Sequence, residues 1–538
     1  LENSMTYLFS NGTVITNEVE VKNDVGNPLP VTGNVTVTSI TGGASSVTAF
    51  GEPYAVTITP VIQLDSIYGI TTEVIQTYLN GTGADANASP SQGLYTISSG
   101  TSLGGYGVLR SKRFLRYRPG QGALARFTAA FTPNVANSYQ VVGLANEENA
   151  IQLGWNQSNT GPKFGVLRAT GGKAEIRQLT INSITTGSQT LTVTLNGVAF
   201  TVTVNTASTQ DAAVAIANRV GGYTGWLIDQ VDNTIVFLGS SVGARAGTYS
   251  LTGSGTVSGT FVQRQVGVAQ TENWTYQGNF TEDNLDGTGP SGMTLRSQYL
   301  NVYQINFRWL GVGEIRYAIE DDSNGNMIFF HKEHYTNRHN LPHTAQPSFK
   351  ITYTSYNLGG ASSAANVYGA SMMAAIEGDI RQNELNRSTS VSKSSIAQNT
   401  LAHLLTLRNP YVTNGAAGAL NGNFVLNAKE ILLKDISVAV QCTDPSLLYI
   451  FFEPTSFSGT HSYYSQPKDN GMISTADGTL NSATDTPVCQ FVIGINAEAQ
   501  YKLSDFRVAV PPGSYVSFAI KSTNQISRVT MALVFSED

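Results

Sequence analysis

The stretch from Arg113 to Thr132, RFLRYRPGQGALARFTAAFT, limits what this chain can fold into more than any other. At its centre, Arg118-Pro119-Gly120-Gln121 has the chemistry of a tight turn, because proline presets φ at the second position and glycine accepts a positive φ at the third. Past the turn, Ala123, Ala125, Phe127, Ala129 and Phe131 fall on one side of an extended chain, with Arg126 and Thr128 on the other. A period of two over that length predicts a half-buried strand, and the whole stretch reads as a β-hairpin with one core face.

A second hairpin follows far downstream. Tyr303, Ile305, Phe307 and Trp309 alternate with Gln304, Asn306 and Arg308 before the turn Leu310-Gly311-Val312-Gly313, and Ile315, Tyr317 and Ile319 then continue inward opposite Glu314, Arg316 and Glu320. An isolated hairpin is marginal in water, so the two predict parts of one sandwich.

A chain of 538 residues is too long for one core and predicts three or four domains. Charged residues make up only 13%, yet 41% are hydrophobic, which suffices for packed cores and argues against disorder. The net charge of −6 argues against a nucleic-acid partner held through its phosphates. Cys442 and Cys489 are the only cysteines, so no disulfide framework is expected, and whether this pair bridges is left open. No apolar run approaches the roughly 18 residues of a membrane span, so no membrane insertion is expected. The first residue is Leu1 rather than methionine, which leaves export open.

The pattern predicts six regions. Residues 1–104 read as an extended arm or small β domain, 105–180 as the first part of a β-sandwich, and 181–268 as an inserted ββαββ module. Residues 269–358 complete the sandwich, 359–397 form a bridge in which Val367–Glu377 could be strand or helix, and 398–538 form a second sandwich of jelly-roll type. Inside the module, Asn196-Gly197 between alternating apolar runs is a strong hairpin signal. Ser208 with Asp211 resembles a capping box, and Ala213, Ile216, Ala217 and Val220 make one helical face before Gly221. The fold class is therefore mainly β and multidomain.

Several constellations have residue types suited to chemistry. HKEHYTNRHNLPH, His331 to His343, holds four of the six histidines and is the first place to look for a metal, with His331 and His334 as candidates. On a strand those two point to opposite faces, which favours solvated loop histidines. Asp283 and Asp286 in EDNLDG offer oxygen ligands for calcium but lack the terminal bidentate glutamate, and polar turn chemistry also explains them. Arg110, Lys112, Arg113, Arg116, Arg118 and Arg126 form a basic group. Arg113, Arg116 and Arg118 could meet acidic glycans or a neighbouring subunit, or could pair with Glu147 and Glu148. Tyr463 and Tyr464, with Trp155 and Trp274, are candidates to stack on sugar rings, although core packing is the commoner use of such residues. No catalytic, phosphate-loop or dinucleotide motif is present, so neither catalysis nor a cofactor is expected.

Four stretches carry a family resemblance: VEVKNDVGNPLPV, RFLRYRPGQGALARFTAAFT, the pair LDGTGPSGMTL and VYQINFRWLGVGEIRYAIE, and the C-terminal β segment ending in ALVFSED. With these the chain resembles virion structural proteins of tailed bacteriophages and large aquatic DNA viruses. Its middle resembles a concanavalin or laminin-G-like jelly roll, and its insert resembles small modules of phage tail proteins. The resemblance implies a fibre, spike, neck appendage or capsid decoration in the virion, without enzymatic activity. Its implied partners are copies of itself, often as a trimer, other virion proteins, and host surface glycans. A secreted carbohydrate-binding adhesin and a polysaccharide-degrading spike enzyme are the rival expectations.

Overall fold

A computed structural model describes residues 57–157, 163–308, 310–359, 363–378, 385–413, 424–465, 470–506 and 508–537. Expectations placed on residues 1–56 and on Trp309 lie outside these. Every strand pairing among the described residues is antiparallel, and apart from short 3-10 turns their one helix is Thr209–Ala217.

Alternating apolar residues build the first sandwich from two facing sheets. A nine-stranded sheet runs Met327–Glu333, Ile315–Glu320, Asn301–Phe307, Ala123–Phe131 and then forks. One branch continues through Asn366–Gly369, Leu94–Ser99 and Ala84–Ser89, and the other through Ser371–Glu377 and Ile58–Asp65. The facing seven-stranded sheet runs Thr271–Tyr276, Lys163–Thr170, Ala150–Asn156, Ser138–Ala145, Lys350–Asn357, Tyr106–Ser111 and Ile75–Asn80. Between them the rings of Phe127, Phe131, Phe164, Tyr303 and Tyr353 interlock, with Phe131 and Phe164 edge to face at 5.9 Å. Each such ring contributes about 1.5–3 kcal/mol by burial.

The turn at 118–121 forms as its residues dictate: Gln121 N donates to Arg118 O at 3.1 Å, and Gly120 takes φ +84°. The hairpin does not. Ala123–Phe131 is flanked on one edge by Asn301–Phe307, with Ala125 opposite Ile305, and on the other by Ser371–Glu377 and Asn366–Gly369. With both edges occupied it has no place for Arg113–Arg118, which hands the chain from one sheet to the other and makes β-type pairing only at the isolated Leu115–Phe349 bridge. The second hairpin forms as read, Tyr303 opposite Ile319, and it lies in the same sheet as Ala123–Phe131.

Residues expected as arm and bridge enter the sheets. Four strands between 57 and 104 belong to the sandwich, and Val367–Glu377 supplies strand to it rather than helix. Asn386–Ile396 pairs along the last strand of the chain.

The insert contains the expected core, hairpin Ser188–Leu195 and Val198–Asn205, helix Thr209–Ala217, then Trp226–Val231 and Thr234–Val242. Ala174–Ile184, Ser250–Gly253 and Val257–Gln265 enlarge it. Asn196 and Gly197 take φ +51° and +83°, as a two-residue turn requires. Ala212, Ala213 and Ile216 bury against both sheets, but the helix ends before Val220, which is 95% exposed. Ser208 caps it, accepting from Asp211 N at 3.1 Å. Ser208→Ala is expected to cost the module about 1 kcal/mol, read as faster amide exchange along the helix.

The C-terminal sandwich pairs a five-stranded with a six-stranded sheet. Val529, Met531, Leu533 and Phe535 of its last strand, Ile526–Glu537, all bury in its core, as their alternation requires. Cys442 and Cys489 are both buried there and unbridged. The chain is thus mainly β and multidomain, with jelly-roll-type sandwiches and a small inserted module.

Candidate functional site

Met327–Glu333 is the outer strand of the nine-stranded sheet, so the chain leaving it has an open flank to fold over. It turns at once, Arg338 N donating to Tyr335 O at 3.0 Å, and His343 N then donates to Gly311 O at 2.8 Å. This return closes a cleft of about 520 Å³ against Lys163–Thr170 and the outer strand Thr271–Tyr276.

Arg168 lies in its floor, 3% exposed. Its Nη2 donates to His343 O at 2.8 Å and its Nε lies 3.4 Å from Glu333 Oε2, while Nη1 has no hydrogen-bond partner. Glu333 also accepts from the hydroxyls of Tyr335 at 2.9 Å and Tyr317 at 3.3 Å. Burial raises its carboxyl above the usual range, against the pull of Arg168. His331 and His343 are 4% and 5% exposed, and burial pushes both down to about 4, so both are neutral near pH 7. His331 Nδ1 accepts from Thr281 N at 3.3 Å, which places the ring proton on Nε2, an atom with no partner.

The histidine segment thus borders a cleft. His331 packs among Phe280 and Tyr317, whereas His334 is exposed with Nδ1 3.0 Å from Glu314 Oε2. The described residues contain no group of three or more His, Cys, Asp or Glu placed to hold a metal ion. Asp283 and Asp286 spend their oxygens on their own loop. Asp283 accepts from Leu285 N and Ser291 N, each at 2.8 Å, and Asp286 accepts from Thr288 N at 2.9 Å.

Arg126 of the basic group is exposed and donates to Gln304 Oε1 at 2.8 Å, while the others are at least half-buried. Arg110 pairs with Glu147 at 2.7 Å, as the pairing reading expects, but Lys112 meets Glu453 at 2.6 Å and Arg113 grips Glu430 through Nε and Nη2. Both of those glutamates lie in the C-terminal segment, over 300 residues away in sequence, which no spacing rule reaches. Arg116 and Arg118 are half-buried and interact within the chain. Lys350 lies buried beside this group, 4.7 Å from the Phe114 ring, and burial pushes it down to about 7.

Among the aromatic candidates, Tyr463 is 4% exposed and carries the Arg408 guanidinium on its ring at 5.4 Å, so it presents no face to a sugar. Tyr464 pairs with Ile473 in the six-stranded sheet. Trp155 Nε1 donates to Ser297 Oγ at 2.9 Å, and half-buried Trp274 stacks on Tyr276 at 5.9 Å.

Sequence reasoning missed the junction around Tyr463. Asp229 of the insert, 2% exposed, accepts from Tyr411 N and Val412 N at 3.0 Å each and faces Arg408 at 3.4 Å. Ile176 and Leu238 of the insert share an apolar cluster with Val412, Phe424 and Leu426. Beside it, His403 and His461 lie on the ring of Phe457 at 4.7 and 4.1 Å.

The fold and its junctions define a mainly β protein, to which comparison with known proteins adds little. No protein-family model and no curated protein matches the chain. One solved chain, from work on the triple jelly-roll fold and turret assembly of an archaeal virus, is 8% identical, covering 75% of this chain and 96% of that one at a TM-score of 0.14. Another, from the atomic structure of Sulfolobus Turreted Icosahedral Virus, is 9% identical, covering 90% and 98% at a TM-score of 0.13. Likenesses this slight carry no argument about this chain.

Proposed function

We propose that this chain is a structural component of a virus particle, that it is not an enzyme, and that it assembles with copies of itself, as a trimer, and with other particle proteins. Host surface glycans are the further partner. The observation that carries this reading is the way the modules join. Charge pairs of Lys112 and Arg113 with Glu453 and Glu430, the Asp229 hub and a shared apolar cluster fasten sandwich, insert and C-terminal sandwich to one another. Modules meant to move are joined through small polar interfaces, whereas buried charge and apolar surface fix one arrangement. A β block fastened in this way suits a part that bears load in an assembly.

Light scattering on the purified chain, gently handled and heated, tests the assembly. A species of three times 57.3 kDa that dissociates on heating is expected. A monomer that persists at concentrations of about 100 μM would overturn the self-assembling part of the proposal.

A further inference from the structure

We infer that the cleft between Lys163–Thr170 and the 331–343 return binds a carboxylate-bearing sugar. The inference rests on the cleft alone and holds whether or not the chain belongs to a particle.

Charge is the first argument. In a chain of net charge −6, three cations, Arg168, Lys332 and Arg338, line this cleft against one lining carboxylate, Glu333. Lys332 is partly answered from outside by Glu282 at 3.0 Å, but Arg338 stands exposed on the rim. The excess sign favours an anion, and low-dielectric walls strengthen that preference.

Geometry is the second. A buried guanidinium is stable when its forked donors are satisfied, and a planar carboxylate is the group that matches them. Arg168 has Nη2 occupied by a carbonyl and Nε turned to Glu333, which leaves Nη1, a buried donor beneath the cleft surface, without a hydrogen-bond partner. His331 adds a neutral ring with Nε2 unmet. An uncharged donor beside a cation fits a ligand that carries one carboxylate and several hydroxyl or ring oxygens. Asn273 and Thr275 project polar groups from the outer strand on the same side. Tyr335, half-buried with its ring against His339 at 5.1 Å, His343 at 5.0 Å and the Arg168 guanidinium at 5.7 Å, sets an aromatic edge on the cleft.

Size is the third. About 520 Å³ lies within the range of small-molecule sites, roughly 300–1,000 Å³, and suits one or two sugar rings.

Isothermal titration of the full chain with sialyllactose and a galacturonate oligomer tests this, with lactose and a sulfated galactose as controls. The carboxylated probes are expected to bind and lactose to show no heat. Arg168→Gln should weaken binding about tenfold or more. Because that substitution alters a buried group and can compromise folding, exposed Arg338→Gln is measured beside it and should weaken binding about threefold at an unchanged melting temperature. Equal binding of lactose, binding of the sulfated sugar alone, unchanged affinity in Arg338→Gln and Tyr335→Ala, or no heat from either carboxylated probe would each overturn the inference.

Discussion

Asp229→Ala is expected to loosen the insert from the C-terminal sandwich and to lower stability by about 3–5 kcal/mol. The carboxylate is buried and serves three donors across the junction: Tyr411 N, Val412 N and the Arg408 guanidinium. Its loss would strand two backbone N–H groups and leave a buried cation without a counter-charge, held by the Ile228 carbonyl, 2.6 Å from Nη2, and the Tyr463 ring. Burial raises the Asp229 carboxyl pKa despite those donors, so the site holds a charge at a cost. Asp229→Asn keeps shape and one acceptor and should lose roughly half as much. Amide exchange is the measurement of choice, because a multidomain chain need not unfold in one step. Exchange at 226–242 and 411–412 should accelerate together, while the hairpin Ser188–Asn205 stays protected. Equal exchange in wild type and Asp229→Ala would show that the junction is held by its apolar cluster alone.

The second large effect is a steep loss of stability in acid. Burial pushes His331, His343 and His403 down to about 4 and His461 to about 3, against about 6.5 in an unfolded chain. Between those values the unfolded state takes up protons that the folded state refuses. The stabilising contribution is therefore complete above about pH 6.5 and is lost as pH falls toward 4. Four such groups add a slope of up to about 5 kcal/mol per pH unit where they titrate together. Glu333 and Asp229, whose carboxyls are raised, act in the opposite direction and soften the fall. The denaturation midpoint should fall gently from pH 8 to 7, where buried Lys350, held down to about 7, resists the proton that the unfolded chain already carries, and drop sharply below 6. His461→Phe, which keeps an aromatic ring against Phe457, should flatten part of that drop. A midpoint unchanged down to pH 4.5 would mean that these imidazoles are reached by water.

How much was legible follows from the range of the interactions. Strands whose pattern is local were visible: the Tyr303–Ile319 hairpin, the Asn196-Gly197 turn and the face of Val529 to Phe535 all follow from two-residue periodicity and turn chemistry. The partner of a strand is not local. RFLRYRPGQGALARFTAAFT looks like a hairpin because its turn is real, yet Ala123–Phe131 is claimed on both edges by segments more than 170 residues downstream. Ser371–Glu377 was ambiguous for a related reason. Met372, Met373, Ala374 and Ala375 favour no period, and only the sheet around them selects strand. At the site, the histidine segment stood out by composition, but its chemistry depends on Arg168 from a strand more than 160 residues earlier. A lone arginine inside an apolar run, Phe164 to Ala169, was the signal that could have been weighed. Tyr463 was misread because nothing near it in sequence shows that Arg408 and the insert enclose it.

The central claim is that this chain is part of a particle. Its most direct test is quantitative peptide mass spectrometry on density-purified virus particles from the source material, with the unbound fraction measured alongside. The account predicts this chain in the particle fraction at a constant ratio to the major capsid protein across the density peak. Its presence in the soluble fraction alone, with none banding with particles, would contradict the account and favour a secreted binding protein.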